Sequence, residues 1–187
     1  VYKRQAHAAA AALLAYAEHT QGRALAHVRD LQVQRLDALI DLPVSTRRNL
    51  ELTQTLRGED SPTLFSLLDT CMTGMGSRLL KHWLVEPPRD RSVAEQRQRM
   101  IVALQGTGAQ QGAGPWRALR DALKGISDVQ RISARTALRQ VRPRELVGLG
   151  HSLQQAEKLR PLLQADQALA PLGAGLQSPP ELTQLLQ

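Results

Sequence analysis

Apolar residues recur along most of this chain at spacings of three and four, which place them on one face of an α-helix. The clearest stripe consists of Met75, Leu79, Leu80, Trp83 and Leu84. Thr73 gives this helix a start signal, and Pro87-Pro88 closes it. A second stripe consists of Leu64, Leu67, Leu68 and Cys71. Ser61-Pro62 precedes it as an N-cap with proline at the first helical position, so both stripes predict helices with one buried face.

Capping signals and prolines divide the rest of the chain into further helices. The remaining predicted helices are Ala6–His19, Ser45 or Thr46 to Leu56, one opened by a Ser92/Glu95 capping box, Pro115–Lys124, one opened by a Ser127/Gln130 capping box, Arg144–Leu159 and Glu181–Leu186. Gln105–Gly114, rich in glycine and glutamine, is predicted to be a loop. Short helices with short connections and no repeat of 20–50 residues favour a helical bundle over a solenoid.

One segment departs from the helical pattern. Between Val28 and Leu42, two short stretches at Leu31–Gln34 and Ala38–Leu42 are compatible with a hairpin or two edge strands. No strand signal follows Pro43. The predicted fold class is therefore mainly α, a helical bundle with a short β segment near residues 30–42.

Composition narrows the class of protein. Hydrophobic residues make up 42% of the 187 and aromatic residues only 3%, which argues against both disorder and an all-β sandwich. A single cysteine and the lack of zinc-ligand spacing indicate a reducing compartment. No apolar run is long enough to span a bilayer, so we expect a soluble, cytoplasmic protein without a membrane partner. The start at Val1 and the end at Gln187, inside a helical pattern, indicate a piece of a longer protein.

The chain is basic, with a net charge of +7. That charge permits a nucleic-acid partner, although an arginine-rich, lysine-poor composition also follows from a GC-rich genome. Arg131, Arg135 and Arg139 step by four and share a predicted helix face. Such a face can track phosphates or pair with carboxylates of a neighbouring helix, and the second reading is favoured. No aromatic residue interleaves with these arginines, which argues against stacking on single-stranded bases.

No catalytic constellation emerges from the pattern. The chain lacks a Gly-Lys pair and hence a P-loop. The five histidines have no ligand spacing, the carboxylates are irregularly spaced, and Cys71 is interpreted as a buried structural thiol. We therefore expect no enzymatic activity in this stretch and assign no catalytic, cofactor-binding or metal-binding residue. Residues that would contact DNA stay unassigned.

Several strings of residues resemble one family in order and spacing. They are Ser45–Leu52, Thr63–Asp69, Thr73–Leu84, Pro87–Gln98, Asp128–Arg135 and Arg142–Leu146. Together with Leu13–Gln21 and His27–Asp41 upstream, they resemble the MutS family of DNA mismatch repair proteins over about Ala8 to Leu163. Gly74 stands where the family usually has proline, and His82 where it usually has a second basic residue.

The resemblance implies the domain organisation and the role. Residues 1–28 would be the C-terminal end of a connector domain, and residues 29–187 the first part of a core or lever domain whose clamp and ATPase domains lie elsewhere. The parent protein would bind mismatched duplex DNA, form a homodimer, bind ATP with magnesium and act with a MutL-like partner. This stretch would hold no cofactor and would couple the nucleotide state to clamping. The alternative is a helical scaffold that binds only proteins.

Overall fold

The computed structural model describes residues 2–22, 28, 30, 36–106, 112 and 114–186. The chain forms two compact units, Val1–Leu36 and Asp37–Gln187. In the first unit, helix α1 spans Tyr2–Gln21, and Gly22 follows with a φ of 63°. The predicted alanine-rich helix is thus confirmed, with an earlier start. Among the described residues, no helix has both the length and the hydropathy that crossing a membrane requires.

In the described part of the second unit, the regular secondary structure is helical. A 3-10 turn at Leu36–Ala38 is followed by α2 (Val44–Asn49), α3 (Leu64–Leu68), α4 (Gly74–Val85), α5 (Arg91–Gln105), α6 (Trp116–Leu123), α7 (Val129–Ala137), α8 (Pro143–Gln164), α9 (Ala170–Gly175) and α10 (Pro180–Leu185). The prediction of a mainly α helical bundle is confirmed. The predicted bounds of α6 and α10 agree with the observed helices to within one residue.

Helix α8 is the centre of this unit, since α6, α7, α9 and α10 all pack against it. The core consists of Leu119, Leu159, Leu163 and Leu169. Leu169 is completely buried. Apolar residues of α5 and α6, among them Met100 and Leu123, surround this cluster and are partly buried. Leu159 and Leu163 of α8 therefore hold the neighbouring helices in place, because their contacts remove apolar surface from water.

The predicted strand at Ala38–Leu42 is wrong. Leu39 forms an isolated antiparallel bridge with Pro88, supported by Ile40 N–H donating to Pro87 O at 2.9 Å and Arg89 N–H donating to Ala38 O at 2.8 Å. Prolines have no backbone N–H, so this pairing cannot extend into a ladder. The other half of the predicted hairpin, at residues 31–34, lies outside the described residues.

Helix α2 ends at Asn49 instead of continuing to Leu56 as predicted. Glu51 adopts a φ of 46°, which a helix does not allow, and its carboxylate accepts a hydrogen bond from Leu56 N–H at 2.7 Å. Leu52 and Thr55 are buried inside the resulting loop. The side chain of Glu51 thus closes a loop where periodicity alone suggested another turn of helix.

Helix α3 begins two residues later than predicted. Thr63 is its N-cap and forms a capping box with Ser66, while Ser61-Pro62 lies outside the helix. The helix ends at Leu68, so Cys71 is not on it. The prediction of a buried stripe is also wrong, because Leu67 is 77% exposed and Cys71 is exposed. A helix of five residues is too short to bury such a stripe by itself.

The N-caps of α5 and α7 are aspartates and not the predicted serines. Asp90 accepts from Ser92 N–H at 2.9 Å, and Asp128 accepts from Arg131 N–H at 3.1 Å. Ser127 N–H donates to Ser152 Oγ on α8 at 2.9 Å. Aspartate and serine are comparable N-caps, so local preference did not decide between them. The contact between Ser127 and α8 decides the position of the cap.

Helix α8 continues beyond the predicted end at Leu159 to Gln164, with Pro161 inside it. A proline in a helix removes one hydrogen bond. Leu159 and Leu163, both buried on either side of Pro161, hold the last turn against the core. Helix α9, which the periodicity did not predict, packs on this extended end of α8.

Candidate functional site: a polar junction at helix α4

Helix α4 is well formed but has no buried residue. The Thr73 hydroxyl accepts from Gly76 N–H at 3.1 Å, which confirms the predicted helix start. Its apolar stripe is only partly covered, since Leu79 is 48% and Trp83 is 38% exposed. The Arg97 guanidinium of α5 lies 3.8 Å from the centre of the Trp83 ring. Burial alone therefore does not fix α4 in position.

A bidentate ion pair connects α4 to α7. Arg78 Nη1 donates to Asp128 Oδ2 at 2.6 Å, and Arg78 Nη2 donates to Asp128 Oδ1 at 2.8 Å. Arg78 Nη2 also donates to Gln130 Oε1 at 2.9 Å. Because Asp128 is the N-cap of α7, one carboxylate both caps the start of that helix and binds Arg78 of α4. The planar guanidinium fork fixes the orientation as well as the distance.

Electrostatics favour the charged form of this pair. The hydrogen bond from Arg78 holds the pKa of Asp128 below its ordinary value of 3.8, with a further contribution from Arg131 N–H. The same contact raises the pKa of Arg78. The side chain of Asp128 is 24% exposed and that of Arg78 is 39% exposed, so solvent weakens the attraction without removing it.

A second group of polar contacts holds the segment that precedes α4. The Ser77 hydroxyl donates to Asp69, and this bond lowers the pKa of the Asp69 carboxyl. Arg120 Nη1, on α6, donates to Thr70 O at 2.9 Å. Residues 69–78 are thus bonded to α6 as well as to α7. We call the contacts of Asp69, Thr70, Arg78, Arg120 and Asp128 the polar junction.

The three arginines predicted to share a helix face do so only in part. Arg135 forms an ion pair with Glu145 of α8, and Arg131 Nε lies 3.6 Å from Asp128 Oδ2. Arg139 lies beyond the end of α7 with a φ of 53°. The prediction that these arginines pair with carboxylates of a neighbouring helix is therefore confirmed for Arg135, whereas Arg131 pairs with the N-cap of its own helix. Glu145 also accepts from Arg142 N–H at 2.8 Å, and this bond lowers its pKa.

The other residues considered from the sequence do not converge on one place. His82 Nδ1 lies 3.7 Å from Glu86 Oε2 on the same helix. Cys71, interpreted from the sequence as buried, is exposed, and partial desolvation and a hydrogen bond to Asp69 raise the pKa of its thiol. In the described ranges, no three His, Cys, Asp or Glu side chains are grouped as metal ligands. The contacts of the polar junction connect α4 and the segment before it to α7 and α6.

Sequence reasoning missed the polar junction because its partners are far apart in the chain. Arg78 and Asp128 are separated by fifty residues. A local role already accounts for each residue in the sequence. Arg78 is a polar residue on a helix surface, and Asp128 is a capping residue. A weak signal was present, since Asp128 precedes a helix and could be recognised as a cap. Nothing local pairs it with Arg78.

Family comparison covers the junction and the helices around it. The family model described as MutS domain III matches residues 45–187, about three quarters of the chain. The match includes both sides of the polar junction and all of α3 to α10. It agrees with the resemblance noted in the sequence. The chain therefore belongs to the MutS family of mismatch repair proteins.

Proposed function

We propose that this stretch is the lever portion of a MutS-like protein, which couples the nucleotide state of an ATPase domain elsewhere in the parent protein to clamping on mismatched DNA. Family membership supports a role in mismatch repair. The observation that carries the lever role is the bidentate pair between Arg78 and Asp128. It joins a helix without buried residues to the well-packed body.

A displacement passes from one helix to another only where the two are held together. Helix α7 packs on α8, and α8 packs on α6, α9 and α10, so these helices move as one block. Helix α4 has no buried residue, so it moves with that block only if directional contacts fix its orientation relative to the block. A bidentate charge-assisted contact resists rotation more than a single hydrogen bond does. The polar junction therefore transmits motion between α4 and the body.

The partners and cofactors of the proposal belong to the parent protein. They are mismatched duplex DNA, a second copy of the parent protein and a MutL-like partner in the cytoplasm. ATP and magnesium would bind in the ATPase domain, and the stretch itself would act without catalysis or cofactor. Exposed arginines would give this isolated chain weak, salt-dependent binding to duplex DNA without preference for a mismatch.

The decisive test uses the full-length parent protein with Asp128→Asn. Asparagine keeps an N-cap but removes the charge that binds Arg78. We expect basal ATP hydrolysis and initial mismatch binding to persist, while ATP-driven sliding on an end-blocked mismatched duplex slows. Asp121→Asn is the matched control, because Asp121 is exposed and, among the described residues, forms its ion pair with Lys124 at the end of its own helix. Both variants lose the same charge.

Leu80→Ala tests the same role through packing. Leu80 is half-buried on α4, so the loss of stability should be smaller than the cost of truncating a fully buried leucine. The folded variant should again retain binding and ATP turnover and lose ATP-driven sliding. Normal sliding by folded Asp128→Asn and Leu80→Ala proteins would contradict the lever role. Loss of mismatch binding alone would contradict it as well.

The alternative, a helical scaffold that binds only proteins, is favoured by the exposed apolar residues of α3 and α4. Leu67, Leu79 and Trp83 all lie at least partly open to solvent. Binding of the parent protein to duplex DNA separates the two functions. A lever requires that binding, whereas a scaffold without a nucleic-acid role excludes it.

A further inference from the structure

A concave basic surface lies where α2 meets the loop that follows it. Its cavity of about 410 Å³ is lined by Val44, Arg47, Arg48 and residues 53–58, which include Arg57. We propose that this cavity, the α2 pocket, binds a phosphate group. The α2 pocket shares no residue with the polar junction, so this inference goes beyond the lever role.

Two of the three arginines are held at the pocket by backbone contacts that use only part of their donor capacity. Arg47 Nε donates to Leu42 O at 2.9 Å, and Arg48 Nη2 donates to Leu56 O at 3.2 Å. A guanidinium has five N–H donors, so most remain available to a ligand. Within the described part of the chain, Arg47, Arg48 and Arg57 form no ion pair.

The loop beneath the arginines is ordered by its own hydrogen bonds. Thr55 N–H donates to Glu59 O at 2.8 Å, and Gly58 N–H donates to Thr55 O at 2.9 Å. Gly58 has a φ of 84°, a conformation that favours glycine. The N–H groups of Thr53, Gln54 and Arg57 have no acceptor among the described residues. These three residues also line the pocket, so their N–H groups are candidate donors to a ligand.

The charges around the pocket favour an anion. No acidic residue lines it. The carboxylate of Glu51 in the same loop accepts a hydrogen bond from Leu56 N–H at 2.7 Å. By contrast, the larger basic cavity beside α7 is lined by Asp128 and Glu145 as well as by arginines. There Arg131 and Arg135 already form ion pairs with these two carboxylates.

The number and origin of the donors favour phosphate over carboxylate. A carboxylate offers two oxygens in a plane and is satisfied by one guanidinium fork. A phosphate group offers three or four oxygens in a tetrahedral arrangement. Three arginines from different backbone positions, with further N–H donors from the loop, match the larger set of acceptors. The phosphate can belong to a small molecule, such as a nucleotide, or to the DNA backbone.

The first experiment titrates the chain with inorganic phosphate at constant ionic strength and follows the backbone amide resonances of residues 53–58 by NMR. We expect saturable shifts that acetate does not produce at the same concentration. Arg48→Gln/Arg57→Gln should weaken phosphate binding at least about fivefold, since charge-assisted hydrogen bonds are lost. Arg91→Gln/Arg99→Gln is the matched control, because both arginines are exposed on α5 and the charge change is equal.

The second experiment distinguishes the two sources of phosphate by titrating the same variants with ADP and with a short duplex DNA. If the DNA backbone is the ligand, the pocket variant should flatten the slope of log K against log salt concentration by about 2, and the control should not. If the ligand is a small phosphate compound, ADP affinity should fall while the DNA slope stays unchanged. Either result supports the site.

Three results would overturn the proposal. One is equal phosphate affinity in the pocket variant and the control variant. Another is displacement of phosphate by acetate at equal concentration, which would indicate a carboxylate site. The last is the absence of saturable shifts at residues 53–58, provided that the amide spectrum shows the chain to be folded.

Discussion

The body around α8 and the region of α3 and α4 are held in place by different forces. The body has a buried leucine cluster, with Leu169 completely inaccessible and Leu159 only 5% exposed. Helices α3 and α4 have no buried residue, and α4 is connected through the polar junction. Burial gives the body its stability, whereas directional polar contacts give α4 its orientation. A helix can thus be positioned without being part of the core.

The strongest test of this contrast is truncation in the body. Leu169→Ala should destabilise the chain by about 2–5 kcal/mol, because it removes a fully buried side chain from the core. Urea denaturation followed by circular dichroism measures the loss. Leu67→Ala is the control, since Leu67 is 77% exposed on α3 and should change stability by less than about 0.5 kcal/mol. Equal losses in the two variants would contradict the contrast.

Gly150→Ala should disturb the packing of α10 on α8. A Cβ at this position would lie 2.9 Å from Leu186 O and 3.1 Å from Leu186 Cβ. We expect overpacking of about 1–3 kcal/mol, offset by about 1 kcal/mol from better helix propensity. Hydrogen exchange of residues 180–185 should accelerate. Gly175→Ala, where a Cβ meets nothing within 4 Å, should leave that exchange unchanged, and equal exchange in both variants would refute the expectation.

Asp128→Asn should have a smaller effect, one that depends on pH. At pH 7 we expect Tm to fall by about 1–4 °C, because the pair is partly exposed. The pKa of Asp128 is lowered in the folded chain, so its contribution is fully present above the unfolded pKa and is lost as pH falls through the folded pKa. The gap between wild type and variant should therefore be constant from about pH 5 to 7 and begin to narrow below about pH 4. A gap that does not narrow as the pH falls below about 4 would point to packing instead of charge.

The smallest expected effect concerns Cys71, at the edge of the polar junction. Partial desolvation and the hydrogen bond to Asp69 raise the pKa of its thiol, which lowers the thiolate fraction near neutral pH. We expect Cys71 to react with a thiol reagent without denaturant, because it is exposed, but more slowly than a free cysteine. Asp69→Asn should speed the reaction. An unchanged rate would show that Asp69 does not act on the thiol.

The candidate sites differ in how far the sequence could predict them. The start of α4 at Thr73 was predictable because a side-chain cap is a local signal. The exposure of Cys71 was not predictable. Its spacing from Leu64 suggested a helix that continues to Cys71, whereas the helix ends at Leu68. The arginines of the α2 pocket were visible as a basic pair at Arg47-Arg48, but Arg57 joins them only through the loop that Glu51 closes.

The sequence by itself determined the helical class, the family and most helix positions, because periodicity, capping and proline breaks act within a few residues. Tertiary structure decided where helices stop, which faces are buried and which charges meet. Leu159 and Leu163 keep α8 helical through Pro161 because the core surrounds them. Arg78 reaches Asp128 because packing brings distant parts of the chain together. Such contacts depend on the simultaneous arrangement of several helices, and no local pattern encodes them.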